Sequence, residues 1–253
     1  MSVVDVVLLA GAPAGPELSP AAPKMSRAMI PLGDKTMLQW VVDALRGANS
    51  IGRIIAVGDV AADGLDLVIE PGDNLIVNIR HGIKAASAGG VVLVVCSDIP
   101  MLSSEAVEDF LCRAPADVGL VYPIIRKEDC AKHPELKRTY LKTGDGEFTG
   151  GNMMLLSSEF VDRNYSAIQR AYEARKRPIQ LACMIGLGVL VRLLVARIFP
   201  GALRIFMLEK AAAKMLGGKV AAVVSAYPEI GEDVDKASDL NAVLEILRPT
   251  KTE

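Results

Sequence analysis

An almost continuous apolar run near the start of the chain constrains the fold most. Residues 3–11 read VVDVVLLAG, a stretch of strand length that is rich in valine and leucine and ends in glycine. A strand with one solvent-exposed face alternates apolar and polar residues, whereas a strand buried on both faces is almost continuously apolar. We therefore expect this segment to lie inside a sheet that helices cover on both faces.

The segments that follow alternate between helical and strand-like patterns. Apolar residues at positions 37, 38, 41, 42 and 45 form the stripe of a helix over 35–48. Further helices are expected over 74–88 and 105–111, the latter capped by Ser103 or Ser104. Strands are expected over 53–59, 65–71, 89–100 and 116–125. This alternation predicts an α/β three-layer sandwich with a mostly parallel central sheet.

The second half of the chain is more helical, and its pattern is less regular. Strands are expected over 149–157, 203–209 and 219–229, and helices over 159–176 and 236–247. No internal repeat or low-complexity linker interrupts the chain, so no domain boundary is expected.

One long apolar segment raises the question of a membrane in a chain that is 51% hydrophobic but only 4% aromatic. Residues 179–206 are interrupted by Arg192, Arg197, Pro200 and Arg204, which leaves no clean membrane span. We expect 180–199 to form a helix buried against the domain. The alternative is a helix on a membrane surface, which would need a broad polar face. No basic region precedes the first apolar run, so a cytoplasmic protein without membrane association is expected.

Charge and cysteine content exclude several classes of function. The chain has 28 basic and 30 acidic residues, so its net charge of -2 gives no chain-wide field for nucleic acid, and none is expected as a partner. Its four cysteines form no CxxC pair and it has only two histidines, so neither a zinc site nor thiol chemistry is expected. Anionic ligands must therefore be bound by local groups.

A proline-rich loop follows the first strand directly. Residues 12–23, APAGPELSPAAP, contain four prolines, and neither a helix nor a strand is expected there. Ligands of open α/β sheets bind at the carboxyl ends of strands, and Gly11 and Gly15 allow close approach of a phosphate to the backbone. The pattern is neither a Walker A loop nor GxGxxG. Lys24 or Arg27, at the far end of the loop, would supply positive charge, unless the loop is simply a solvated turn.

Carboxylates stand at two further places where strands are expected to end. Asp98 follows the most hydrophobic strand and is well placed to hold a magnesium ion on polyphosphate oxygens, although it could also cap a turn. Asp233 and Asp235 lie two residues apart in an extended segment and so point to the same side. Either could complete a two-carboxylate metal site with Asp98. Asp239 is expected in the first turn of the final helix.

Taken in order, these motifs resemble those of the MobA-like nucleotidyltransferases. The chain has LAG followed by a loop and a basic residue, then PLGDKTMLQWVVDAL, SDIP and DVDKASDL. Family patterns have LAGG, a basic residue within the loop, a DxP-type aspartate and a DxD-T-xx-D-L tail. This chain departs from them at Ala12, which replaces the second glycine, and in a loop without any basic residue. Arg27 is the closer match to the family's lysine.

The resemblance implies a GT-A-like fold and a reaction in which an acceptor phosphate or hydroxyl attacks the α-phosphorus of an NTP, with loss of pyrophosphate. It places the nucleotide on residues Leu9, Ala10, Gly11, Ala12 and Asn78. Asn78 would touch the base or ribose, unless it is a helix-surface amide. Arg27, Lys24 and Asp98 would be catalytic, and Asp98 with Asp235 would bind Mg2+, with Asp233 as the alternative second ligand.

The acceptor side follows less directly from the residues. Arg138, Thr149, Gly151 and Asn152 are expected to bind a small, phosphorylated acceptor, together with Lys137, Arg175 and Lys176, unless they belong to a surface hairpin and a solvated helix end. Residues 1–253 would form one domain, with acceptor-side insertions over about 126–215. The altered loop leaves an alternative function open, a non-catalytic nucleotide-binding or regulatory module of the same fold.

Overall fold

The computed structural model describes residues 3–87, 90–174, 177 and 184–248. Its strands are β1 (Val4–Leu9), β2 (Pro31–Leu32), β3 (Lys35–Thr36), β4 (Ile51–Val57), β5 (Leu67–Ile69), β6 (Val91–Cys96), β7 (Leu120–Arg126), β8 (Leu141–Thr143), β9 (Gly146–Gly150), β10 (Met153–Ser157) and β11 (Val220–Ser225). Its helices are α1 (Gly15–Leu18), α2 (Met37–Gly47), α3 (Leu75–Ala85), α4 (Ser104–Arg113), α5 (Ser158–Ala174), α6 (Leu187–Val195), α7 (Ile205–Leu216) and α8 (Ala237–Leu247).

The main sheet has the strand order β5-β4-β1-β6-β10-β7-β9-β8, and β11 pairs with β7. β1 lies between β4 and β6 and is parallel to both, which confirms the predicted mostly parallel sheet. β10 is antiparallel to both β6 and β7. The chain enters β10 directly from the β8–β9 hairpin, and without a crossover helix a strand cannot return parallel to its neighbour.

Helices cover both faces of the sheet, as the continuous apolar run of β1 predicts. Val6 and Leu8 pack in a buried cluster with residues of α2 and α4. Val7 and Leu9, whose side chains alternate with these, pack on the other face with residues of α3 and α5. Alternate side chains of a strand point to opposite faces, so β1 has no solvent-exposed face in its last four residues.

Side-chain caps fix the start of three helices. Thr36 Oγ1 accepts a hydrogen bond from Gln39 N at the start of α2, and Asn74 accepts from Ile76 N and Val77 N at the start of α3. Ser103 Oγ accepts from Ala106 N, so Ser103 rather than Ser104 caps α4. Each cap satisfies an N–H group that has no partner inside the helix.

Two predictions of local structure were wrong. The proline-rich loop contains the short helix α1, which begins at Gly15 with Pro16 in its first turn, where a missing N–H costs nothing. Residues 203–209 were expected to be a strand, but α7 begins at Ile205. The alanine, lysine and leucine residues that follow are strong helix formers, and they outweigh the β-preference of Ile205 and Phe206.

The predicted burial of residues 180–199 was also wrong for the part that the structure describes. Residues 180–183 lie outside the described ranges. In and just after α6, Leu187 is 73% exposed, Ile198 76% and Phe199 67%. Apolar composition alone does not establish burial, and much of this surface faces solvent. Of the helices described, none combines the length and apolar character that crossing a bilayer requires.

Candidate active site

The carboxyl ends of β1 and β6 bring the first two motifs together. The strands are adjacent and parallel, with Leu9 paired to Cys96, so the loop after β1 and the turn containing Asp98 leave the sheet side by side. Ser97 fastens them, because its N–H and its Oγ both donate to the Leu9 carbonyl, at 3.2 and 2.9 Å. No sequence pattern indicates this role for Ser97.

Backbone contacts fold the far end of the proline-rich loop back onto the end of β1. Ser26 Oγ donates to the Ala10 carbonyl at 2.6 Å, and Arg27 N–H donates to the Ala12 carbonyl at 2.8 Å. These bonds place Arg27 beside the strand end, as the sequence predicted for one of the two basic residues. Lys24 lies on the exposed part of the loop.

Asn78 packs directly against Gly11. A Cβ atom at position 11 would lie 3.3 Å from Asn78 Nδ2 and 3.1 Å from Pro71 Cβ, so a side chain there would crowd both residues. Asn78 Oδ1 accepts a hydrogen bond from Gly72 N–H at 2.7 Å. Asn78 is therefore a buried residue that supports the loop rather than an amide on the helix surface.

Arg27 connects the second and third motifs. Its Nη1 lies 3.1 Å from Asp98 Oδ2, and the same nitrogen contacts Asp235 Oδ1. The Val234 N–H donates to the Asp98 carbonyl at 2.9 Å and holds the acidic segment against the end of β6. Residues that are distant in the sequence thus form one charged cluster at the carboxyl edge of the sheet.

Burial and mutual repulsion perturb the acids of this cluster. Burial raises the pKa of Asp98 above its usual value, although the Arg27 guanidinium opposes the rise. Burial, together with the nearby Asp235 and Asp98 carboxylates, raises the pKa of Asp233 to about 6. Within the described ranges, Asp98 Oδ1 is a buried oxygen without a hydrogen-bond partner. Such a group gains from any cation that reaches it.

The acids of this cluster could hold a divalent cation only in an open site that water and a ligand complete. Over residues 3–87, 90–174, 177 and 184–248, no group of three or more His, Cys, Asp or Glu side chains has a metal-binding arrangement. Magnesium, however, is usually held by one or two carboxylates, with water and substrate phosphates completing its octahedron. Asp98, whose Oδ1 lacks a partner, and one of Asp233 and Asp235 supply such a pair.

A second ionic cluster lies immediately before Asp233. Glu232 is fully buried, and its carboxylate contacts His133 Nδ1 at 2.9 Å and Arg138 Nη2 at 3.1 Å. Burial raises the pKa of Glu232, and Arg138 and His133 oppose the rise. Sequence reasoning missed Glu232 and His133, because nothing in an acid-rich segment singles out the one acid that points inward. Arg138 was expected to bind the acceptor, but its guanidinium forms an ion pair with the buried Glu232 carboxylate.

An open cleft of about 300 Å³ runs beside the acids. Its lining mixes the acids Glu17, Asp233, Asp235 and Asp239 with the cationic residues Lys137, Arg138 and Lys236. The predicted acceptor residues Lys137 and Arg138 therefore do lie near the predicted metal ligands. A cleft with both signs of charge suits a ligand whose phosphates carry a cation.

The remaining acceptor candidates fall in two places. Gly151 and Asn152 join β9 to β10 next to the acidic segment: Asn152 N–H donates to the Ile230 carbonyl at 2.8 Å, and Cys96 N–H donates to the Asn152 carbonyl at 2.9 Å. Thr149 instead lines a groove between the β8–β9 hairpin and α6. Arg175 and Lys176 lie outside the described residues.

Comparison with known proteins identifies the family of the chain. Residues 19–181 match the model of the MobA-like NTP transferase domain. A "hypothetical transferase" of solved structure from Thermus thermophilus is 34% identical, with a TM-score of 0.84 over 94% of this chain and 99% of that one. No curated protein matches the sequence.

More distant solved structures share the fold. A 4-diphosphocytidyl-2C-methyl-D-erythritol synthase from Anaerococcus prevotii is 11% identical, with a TM-score of 0.57 over 98% of this chain and 97% of that one. A CMP:2-keto-3-deoxy-manno-octonic acid synthetase complexed with CTP is 13% identical, with a TM-score of 0.59 over 97% and 98%. The chain belongs to the family of MobA-like NTP transferases, which are nucleotidyltransferases.

Proposed function

We propose that the protein transfers an NMP group from an NTP to a small, phosphorylated acceptor in a magnesium-dependent reaction that releases pyrophosphate. The observation that carries the proposal is the contact of Arg27 with both Asp98 and Asp235 at the carboxyl ends of β1 and β6. The main sheet contains both the first strand, β1, and the last, β11, which supports treating the chain as one domain.

In this reaction an acceptor oxygen forms a bond to the α-phosphorus, and the bond between that phosphorus and the β-phosphate oxygen breaks. The bonding electrons leave with pyrophosphate, so negative charge grows on the leaving group. The protein must hold the two reactants in line and neutralise that charge. Arg27 is assigned to the leaving group, with Lys24 as a second cation, and the backbone of Leu9, Ala10, Gly11 and Ala12 to the phosphates.

Asp98 and Asp235 are assigned to a bound Mg2+, with Asp233 as the alternative second ligand. When bound, the ion supplies neutralisation of the phosphate oxygens. Arg27 already contacts the same two carboxylates, so it fixes their positions and keeps the pKa of Asp98 from rising further. Asn78 is assigned to the nucleotide side because it packs on Gly11.

The acceptor is assigned to the cleft beside the acids. Lys137 and Lys236 line it and are exposed, so they are available to an acceptor phosphate. Gly151 and Asn152 do not line this cleft, but the Asn152 N–H bond to the Ile230 carbonyl keeps them next to the segment that carries its acids. Arg138 is assigned an indirect part, since its guanidinium is paired with Glu232. Thr149 remains a candidate contact for a larger acceptor.

The test is pyrophosphate release from each of the four NTPs with magnesium and a pool of small phosphorylated metabolites. Asp98→Asn should lower the rate at least about a hundredfold, because it removes charge from the reacting centre. Asp109→Asn is the matched control: Asp109 also pairs with an arginine, and its side chain is 20% exposed, like that of Asp98.

Two results would contradict the proposal. The first is an Asp98→Asn variant as active as Asp109→Asn. The second is tight NTP binding without any product. That result would favour the alternative function, a non-catalytic nucleotide-binding module, which the absence of basic residues from loop 12–23 suggests.

A further inference from the structure

Exposed apolar side chains form a stripe along α6 and the turn after it, although Leu194 also borders the groove next to the β8–β9 hairpin. Leu187, Val191 and Leu194 follow each other at helical spacing, and the stripe continues into the turn after the helix with Ile198 and Phe199. Their exposed fractions run from 50% to 76%. Monomeric proteins rarely leave an apolar patch of this kind without a partner.

The opposite side of α6 faces a groove that lies between this helix and the β8–β9 hairpin. Leu190 and Leu193 face the groove against the β8–β9 hairpin, and Ala196 is buried. An isolated amphipathic helix needs a polar face to stay in solution. In α6 the face opposite the exposed side chains is turned towards the rest of the protein instead of towards solvent. The lack of a polar face in the sequence is therefore no argument against contact with a membrane surface.

The charge around the stripe has a single sign. Residues 184–208 contain three basic residues, Arg192, Arg197 and Arg204, and no acidic one. All three are exposed. Two acids near this segment accept backbone hydrogen bonds: Glu209 accepts from Ala222 N–H, and Asp145, which is itself exposed, accepts from Ile205 N–H. In a chain of net charge -2, this segment is locally basic.

We propose that α6 and the turn after it bind the surface of an anionic lipid bilayer. Apolar side chains that enter the acyl boundary, with arginines at headgroup level, are what holds a peripheral helix on such a surface. A partner protein with an acidic apolar groove, or a second copy of this chain, would be a different occupant. A second copy is disfavoured because it would bring the three arginines of each protomer towards those of the other.

The experiment is flotation of the full chain, without nucleotide, on vesicles of equal parts phosphatidylcholine and phosphatidylglycerol, with pure phosphatidylcholine vesicles for comparison. The wild type should float with the mixed vesicles, less with the neutral ones, and less as salt increases. Leu194→Glu with Ile198→Glu should lower the bound fraction about tenfold or more. Val68→Glu, at an exposed apolar residue of β5, is the matched control.

A second pair of variants keeps the test independent of the apolar stripe. Arg197→Gln with Arg204→Gln should weaken flotation and flatten its salt dependence, whereas Arg163→Gln, at an exposed arginine of α5, should not. Unchanged flotation of both double variants would overturn the proposal. A second outcome would also overturn it: a wild type that binds neither kind of vesicle and is a dimer by light scattering, together with a Leu194→Glu, Ile198→Glu double variant that is a monomer. Neither outcome depends on nucleotidyl transfer.

Discussion

Arg27 is the only arginine of the described residues that contacts both Asp98 and Asp235, so its removal tests the charged cluster directly. Arg27→Gln takes away the cation that lowers the pKa of Asp98. That pKa then rises, and the acid limb of the pH dependence of kcat/KM should move to higher pH. The rate on the plateau should also fall, by about 10- to 1000-fold, because the leaving group loses a cation.

The control for this prediction is Lys24→Gln, which removes the same charge from the exposed part of the loop. Its pH profile should match that of the wild type. Identical pH profiles for Arg27→Gln and Lys24→Gln would show that Arg27 does not act on the Asp98 carboxylate.

Asp233 makes the stability of the protein depend on pH. Its pKa is about 6 in the folded protein against an ordinary value of 3.8. Between these values the unfolded chain has lost the proton while the folded protein keeps it, so the free energy of unfolding falls as pH rises from about 4 to about 6. Above that range the loss is complete.

Asp233→Asn should therefore stabilise the protein near pH 7, by about 1–3 kcal/mol, with a gain that vanishes below about pH 4. Urea unfolding across this range, with a chelator present, measures the difference between variant and wild type. A difference that does not change with pH would contradict the raised pKa.

At the scale of elements, the link between β9 and β10 positions the acidic segment. A Cβ atom on Gly151 would lie 2.7 Å from Ile230 Cγ2 and 2.9 Å from Pro123 Cγ. Gly151→Ala should thus displace the 3-10 turn Pro228–Gly231 and, with it, Asp233 and Asp235, which follow the turn in the chain. We expect a loss of about 1–3 kcal/mol in the free energy of unfolding, from overpacking, together with reduced activity.

The matched substitution is Gly188→Ala in α6. No atom outside its own helix lies within 4 Å of the added Cβ, and alanine is the better helix former, so stability should rise by about 0.5–1 kcal/mol. Chemical denaturation of both variants separates the two effects. Equal changes in the free energy of unfolding would mean that the close contacts of Gly151 with Ile230 and Pro123 do not limit the size of the side chain at that position.

The elements show which parts of the structure the sequence could predict. β1, β6 and the start of α3 were predictable because their signals are local: continuous apolar runs and the asparagine Asn74 at the first turn. The exposed stripe of α6 was not predictable, because apolar composition does not say whether a surface is covered. α7 was mistaken for a strand because a short apolar run fits both periods.

The candidate site was also predictable only where its signals are local. Asp98 and Arg27 follow from strand ends and loop position, since parallel strands place their carboxyl ends together. Glu232 and its partners His133 and Arg138 were not predictable as a cluster, because their contact depends on how the hairpin region packs on the tail. The sequence offered Arg138 as a free cation, and only the fold shows its ion pair.

At the scale of the whole molecule, the site joins two parts of the chain that lie far apart. The loop after β1 and the turn after β6 come from the first hundred residues, and the acidic segment comes from the last thirty. Their contact runs through Arg27 and through the Val234 N–H bond to Asp98. A nucleotide held across this junction would bind only the folded chain, so its binding energy should add to the global stability.

This coupling yields a last prediction. An NTP at about 100 times its dissociation constant should add about 2.7 kcal/mol, which raises Tm by about 5–10 °C for a chain of this size. The shift should need magnesium, shrink with chelator, and be mostly lost in Asp98→Asn. The nucleoside of the same base is the control ligand, because it lacks the phosphates that the loop and the cation hold. A Tm that does not change with any of the four NTPs would contradict binding at this junction. An equal shift with and without magnesium would show that the nucleotide binds without a magnesium ion on the carboxylates.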